Sequence, residues 1–148
     1  MRPRYLRDLH IEYRPNAARL ITHDQPIRNA ADAAAIFIPL LSSQPQEVFS
    51  ALYLDTKHRM IAYREIHRGT LSEVAVHARD VITPGLLINA AGCIIAHNHP
   101  GGDPNPSPDD CALTRRLIDA AALLDFEIYD HLIIGENQYV SFQQTGRM

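Results

Sequence analysis

The short apolar run Gly92-Cys93-Ile94-Ile95-Ala96 leads directly into His97-Asn98-His99 and a Pro/Gly-rich stretch, PGGDPNPSPDD. An unbroken apolar run has no polar face, so it predicts a buried central strand in a sheet. Beyond the loop, Ala112, Leu113, Leu117, Ala120, Ala121 and Leu124 recur at helical spacing and predict a helix from Pro108 to about Leu124. Phe126 to Ile134 then reads as a strand, Gly135-Glu136-Asn137 as a turn, and Gln138 to Phe142 as a last short strand.

Upstream, Asn29 is a natural cap for a helix over NAADAAAIF, which Pro39 and the segment SSQPQ are expected to end. Glu47 to Leu54 and Met60 to Ile66 flank the turn Asp55-Thr56-Lys57-His58 and predict an antiparallel hairpin. A short strand is expected over Val74 to His77. A short helix is expected over residues 84–90, capped by Thr83 with Pro84 at its first position. The order of elements predicts an α/β fold: a single mixed-sheet domain flanked by helices over residues 29–148. Residues 1–28, with Arg2, Arg4, Arg7, Arg14 and Arg19, are expected to be an Arg-rich extension outside the core.

Composition narrows the class. The 148 residues are 46% hydrophobic, enough for one domain with a proper core. No apolar run approaches the roughly 20 residues of a membrane span, and the start has no secretory h-region. Two cysteines, Cys93 and Cys111, form no disulfide framework, so a cytoplasmic protein with reduced thiols is expected. A net charge of −3 argues against nucleic-acid binding as the main activity, leaving only the Arg-rich N-terminal segment as a route to it.

The chemistry lies in residues 97–110. Side chains two apart on a strand share a face, so His97 and His99 can point to the same side. The loop can fold the helix start back so that Asp110 joins them. Two imidazoles and one carboxylate are the three protein ligands of a catalytic zinc, with the fourth position left to water. Two readings stand on these residues alone: partly buried polar groups at a strand end, or a metal site. Ser107-Pro108-x-Asp110 is fully explained as a helix start, and a role for the Ser107 hydroxyl at an oxyanion is compatible with it. Other metal motifs fail on spacing. There is no H-E-x-x-H, no H-x-E with P-C-x-x-C, and no x-Asp-His after His99, and the chain is too short for a (β/α)₈ barrel.

His-x-His, seven residues, Ser, two residues, Asp resembles the JAMM (MPN+) metalloprotease motif, and the context resembles its RadC-like branch. EVFSALYLDTKHRMI, the GTL of 69–71, the HNHP loop, DHLIIG and YVSF carry the likeness, which covers about residues 30–146. The resemblance implies a JAB/MPN (cytidine-deaminase-like) fold. It implies zinc held by His97, His99 and Asp110, Ser107 assisting an oxyanion, and an upstream Glu as general base. That Glu should be Glu47, with Glu65 and Glu73 as fallbacks; read by itself, Glu47 is a solvated residue after Pro45. The implied activity is zinc-dependent hydrolysis of a peptide or isopeptide-like amide in a peptide or protein substrate. A DNA-repair or mobile-element accessory role and a non-catalytic interaction domain are the alternatives. The sequence departs from the pattern at Gly101, where RadC-like proteins usually carry Ser, and no helix-hairpin-helix DNA-binding region is read in it.

The remaining candidates read as structural. Asp130-His131 is expected to order the sheet edge rather than support the metal. His67 and His77 read as surface or core polar residues, Cys93 as a packed core thiol, and Cys111 as facing away from the site, since a helix turns about 100° per residue.

Overall fold

The structure, a computed structural model, describes Glu12, residues 25–71 and residues 75–148. Its elements are α1 (Ala30–Leu41), β1 (Val48–Leu54), β2 (Met60–Arg68), α2 (Ala78–Leu87), β3 (Gly92–Asn98), α3 (Pro108–Ala122), β4 (Glu127–Ile134) and β5 (Tyr139–Ser141). The strands form one mixed sheet in the order β2-β1-β3-β4-β5. β3 is the central strand, antiparallel to β1 and parallel to β4. All seven of its residues are buried, as its unbroken apolar run requires.

Each sheet face is covered separately. Val48, Leu52, Leu54, Ile94, Ala96, Leu132 and Ile134 face α1 and pack on Ala33, Ala34, Phe37 and Leu41. Phe49, Ala51, Tyr53, Cys93, Ile95 and Ile128 pack on Val81 and Ile82 of α2 and on Leu113, Leu117 and Ala121 of α3. The same alternation sets the directions of the last two residues of β3. His97 continues the Cys93, Ile95 side toward α3, and Asn98 continues the Ile94, Ala96 side toward α1.

Several local expectations need correction. The helix capped by Asn29, whose side chain accepts the Asp32 N–H, runs through Pro39 to Leu41. The carbonyl that Pro39 cannot serve belongs to Ala35, an exposed residue open to hydration. α2 starts at Ala78 behind His77, not at Pro84 behind Thr83. Burial of Val81, Ile82 and Gly85, together with the Tyr53 hydroxyl donating to the Val81 carbonyl at 2.7 Å, outweighs the local cap signal. Pro84 therefore sits inside the helix and leaves only the carbonyl of exposed Asp80 without its helical donor. Ala75 to His77 form a turn and bend rather than the expected strand, and Val74 lies outside the described residues. Ile27, placed by sequence in the outer extension, is buried in the α1 core, with its N–H donated to the His58 carbonyl at 2.9 Å. The Arg-rich part of that extension lies outside the described residues.

The loop after β3 is held from the opposite side by the β4–β5 turn. His99 N–H donates to the Ile134 carbonyl at 2.9 Å, and Glu136 N–H and the Gln138 amide both donate to the Gly102 carbonyl. This contact needs Gly135: a Cβ there would stand 2.3 Å from the Gly102 oxygen. No helix among the described residues is long and apolar enough to cross a membrane.

Candidate metal centre

Two short stretches of chain converge at the C-terminal end of β3. His97 is the penultimate strand residue and fully buried; His99 follows the strand with its side chain 19% exposed. α3 starts beside them because Ser107 caps it. The Ser107 hydroxyl accepts the Asp110 N–H at 3.1 Å, and the Asp110 carboxylate accepts the Ser107 N–H at 2.7 Å. This reciprocal capping box, with Pro108 at the helix start, turns the Asp110 side chain back toward the strand end.

The three groups meet closely. His97 Nε2 and His99 Nε2 are 3.0 Å apart, His97 Nε2 lies 3.1 Å from one Asp110 oxygen, and His99 Nε2 lies 3.3 Å from the other. Donors about 2.0–2.1 Å from a tetrahedral ion stand roughly 3.3 Å from one another, so the cluster needs little adjustment to enclose one. Among the described residues it is the one His/Cys/Asp/Glu group with this convergence. His99 Nδ1 is 2.8 Å from the Asp103 carbonyl, which can only accept. The ring proton is therefore on Nδ1, and the Nε2 lone pair of neutral His99 faces the cluster.

Electrostatics agree with a cation site. Burial alone would raise the Asp110 carboxyl, but when the two imidazoles are protonated, and so stand in for a cation, hydrogen bonds from His97 and His99, the His97 charge and the Ser107 N–H hold it far below the usual carboxylate range. The hydrogen bond to Asp110 raises the His99 imidazole, against a smaller effect of burial. A carboxylate kept charged in a nearly buried position (Asp110 is 3% exposed) calls for a positive partner.

The other sequence candidates divide. Glu47 precedes β1 and stands outside the three-residue cluster, with its carboxylate accepting the Leu71 N–H. Its charge still reaches His99 and helps raise that imidazole. Glu65 is held by a bidentate pair with Arg68, both contacts 2.8 Å, and Glu73 lies outside the described residues. His67 and His77 are not in the cluster. Cys93 is buried and Cys111 exposed, as expected. Gly101, the departure in the loop, is exposed, and a Cβ there would meet nothing within 4 Å.

These residues match a known family: the model of the RadC-like JAB domain covers residues 27–147. The chain belongs to the RadC-like JAB domain family. Its relatives include a UPF0758 protein of Marinobacter nauticus, 44% identical over 123 residues, which are 83% of this chain and 55% of the relative. A UPF0758 protein of Methylibium petroleiphilum is 42% identical over 139 residues, 93% of this chain and 62% of its own length. One from Thioalkalivibrio sulfidiphilus is 48% identical over 106 residues, 72% of this chain and 47% of its own. The chain thus spans about half the length of the curated relatives it matches.

Two residues of this RadC-like JAB domain have roles that sequence reasoning missed. Asn98, read only as the middle of His-x-His, is a buried clamp. Its Oδ1 accepts the Val48 N–H at 2.7 Å, and its Nδ2 donates to the carbonyls of Gln44 and Gln46 at 3.3 and 3.0 Å. It thereby fixes the segment that carries Glu47. His131 touches the His97/His99/Asp110 cluster, contrary to expectation: its Nε2 is 2.8 Å from His97 Nδ1. Asp130 behaves as expected, accepting from Ser141 Oγ, Gln143 N and its neighbour's N–H at the sheet edge. The Asp-His pair in an apolar strand was the only available signal, and it does not show which neighbour each residue faces. A cavity of about 340 Å³ opens beside His99, lined by Ser42, Gln44, Pro100, Gly102 and Glu136 among others, and gives a polar approach to the cluster.

Proposed function

We propose that this RadC-like JAB domain is a zinc-dependent hydrolase acting on a peptide or isopeptide-like amide bond. The observation that carries the reading is the convergence of two imidazole nitrogens and one charged carboxylate at 3.0–3.3 Å. Two nitrogens and one oxygen from three protein ligands make the donor set of a catalytic rather than a structural zinc site. Zinc held by His97, His99 and Asp110 supplies Lewis-acid polarisation and a water acidic enough to ionise near neutral pH.

The chain's own groups do the rest. Glu47 takes a proton from the attacking water and returns it to the leaving amine, which would otherwise depart as a poor, anionic group. Its backbone is fixed by Asn98, and one carboxylate oxygen is occupied by the Leu71 N–H, so the other is left for the proton. Ser107 spends a lone pair on the Asp110 N–H, which leaves its O–H to donate to the carbonyl oxygen as that atom gains charge. The cavity beside His99 receives the substrate.

Glu47→Gln separates catalysis from metal binding. The variant is expected to keep its metal and lose roughly 10²–10⁴-fold in turnover, the usual contribution of a general base. Mass-spectrometric scoring of cleavage across a peptide and isopeptide panel, beside metal analysis of the same preparations, makes the comparison. Equal cleavage by the variant and the wild type would remove Glu47 from the mechanism. A metal-loaded wild type that cleaves nothing on the panel would favour a binding domain.

A further inference from the structure

Behind the metal cluster lies a hydrogen-bonded chain that connects three elements of the fold. His97 Nδ1 on β3 meets His131 Nε2 on β4 at 2.8 Å. His131 Nδ1 meets Thr114 Oγ1 on α3 at 2.6 Å, and the same oxygen lies 2.6 Å from the Asp110 carbonyl. With both rings neutral, only one arrangement of protons satisfies it. A carbonyl has no proton to give, so the single Thr114 hydroxyl proton goes to Asp110. Thr114 Oγ1 must then accept from His131, which places the ring proton of His131 on Nδ1 and leaves its Nε2 as an acceptor. His97 must therefore donate from Nδ1, and in the neutral ring its Nε2, which faces Asp110 and His99, is then the lone pair.

Among the described residues, nothing nearby can substitute for a missing member. His97 and His131 are fully buried and Thr114 is 1% exposed, so water does not complete the chain. Phe49 stacks on His97 and meets His131 edge-on, while Phe142 stacks on His131, and these rings offer no polar atoms. The chain also closes on itself, because Asp110 accepts the Thr114 proton through its backbone and joins His97 through its side chain.

We infer that Thr114 and His131 are positioning residues that hold His97 in the one tautomer able to offer a lone pair to a divalent ion. The inference rests on the metal-site reading above and adds to it two residues that do not touch the ion. Without the Thr114 oxygen, the Nδ1–H of His131 has no acceptor. The ring gains by moving its proton to Nε2 and donating to His97, which puts the His97 proton on the nitrogen that must bind metal.

Thr114→Val keeps the shape and removes the hydroxyl; Thr114→Ser restores it. The expected result is a 10–100-fold loss of zinc affinity in the valine variant, the usual effect of an outer partner of a ligating histidine, with near-wild-type affinity in the serine variant. Imidazole nitrogen NMR should find the His131 proton on Nδ1 in the wild type and on Nε2 in the valine variant. Unchanged zinc affinity in Thr114→Val, or equal losses in the valine and serine variants, would overturn the inference while leaving the metal site in place. A wild-type His131 protonated on Nε2 overturns it without any variant, even if the valine protein fails to fold. A wild type that takes up no zinc overturns the metal reading and the inference together.

Discussion

Asp110→Ala is expected to abolish tight metal binding and to loosen the start of α3 at the same time. The carboxylate has two functions. Its oxygens lie 3.1 and 3.3 Å from the two imidazole nitrogens, and one of them also accepts the Ser107 N–H at 2.7 Å. Removing one of three ligands should weaken zinc by well over the roughly 100-fold that marks the upper range for an outer partner. Losing the reciprocal cap should cost about 0.5–1.5 kcal/mol, the net worth of one such hydrogen bond. Asp110→Asn separates the two effects. Its amide oxygen can still accept from Ser107, so stability should hold, while the neutral side chain cannot supply the charge that two neutral imidazoles need. Zinc competition titrations and denaturant unfolding of the metal-free proteins make the measurement. Equal zinc affinity in wild type and Asp110→Asn would show that the carboxylate serves the helix alone.

Asn98→Ala is expected to damage turnover far more than metal binding, and to destabilise the fold. Asn98 is 1% exposed and bonds three backbone groups, at Val48, Gln44 and Gln46. An orphaned buried group costs about 1–3 kcal/mol, so losing the clamp should lower stability by at least that much. The side chain points to the α1 face, away from His97, so the ligands stay where they are. What moves is residues 44–48, and Glu47 with them. The predicted pattern is near-normal zinc content, a lowered unfolding midpoint and turnover reduced toward that of Glu47→Gln. Loss of zinc in proportion to activity would show instead that Asn98 supports the ligands.

How much of this was legible in the sequence depends on how local each signal is. β3 was readable because five apolar residues without a polar face, too short a run for a helix, read as a covered strand. The start of α3 was readable because Ser107, Pro108 and Asp110 act within one turn. The spacing of His97, His99 and Asp110 pointed to a common site, and the structure brings them together. α2 was misplaced because Thr83-Pro84 is a good local start, yet burial of Val81 and Ile82 against β1 and β3 outweighs it. Pro39 misled in the same way, being tolerable inside α1 on an exposed face. The supporting residues were not legible at all. His131 reaches His97 only because β4 pairs in parallel with β3, with His131 beside Ile95, two residues before His97 on the same face. Asn98 becomes a clamp only because β1 returns antiparallel beside it. Glu47 was singled out by family resemblance alone, and in the structure it stands near His99 without joining the three ligands.

Whether His97, His99 and Asp110 hold a metal ion is decided by the metal content of the protein. Elemental analysis of the purified protein, after dialysis against metal-free buffer, should find close to one zinc per chain in the wild type and almost none in His97→Ala. No stoichiometric metal in the wild type, or the same content in both proteins, would contradict it.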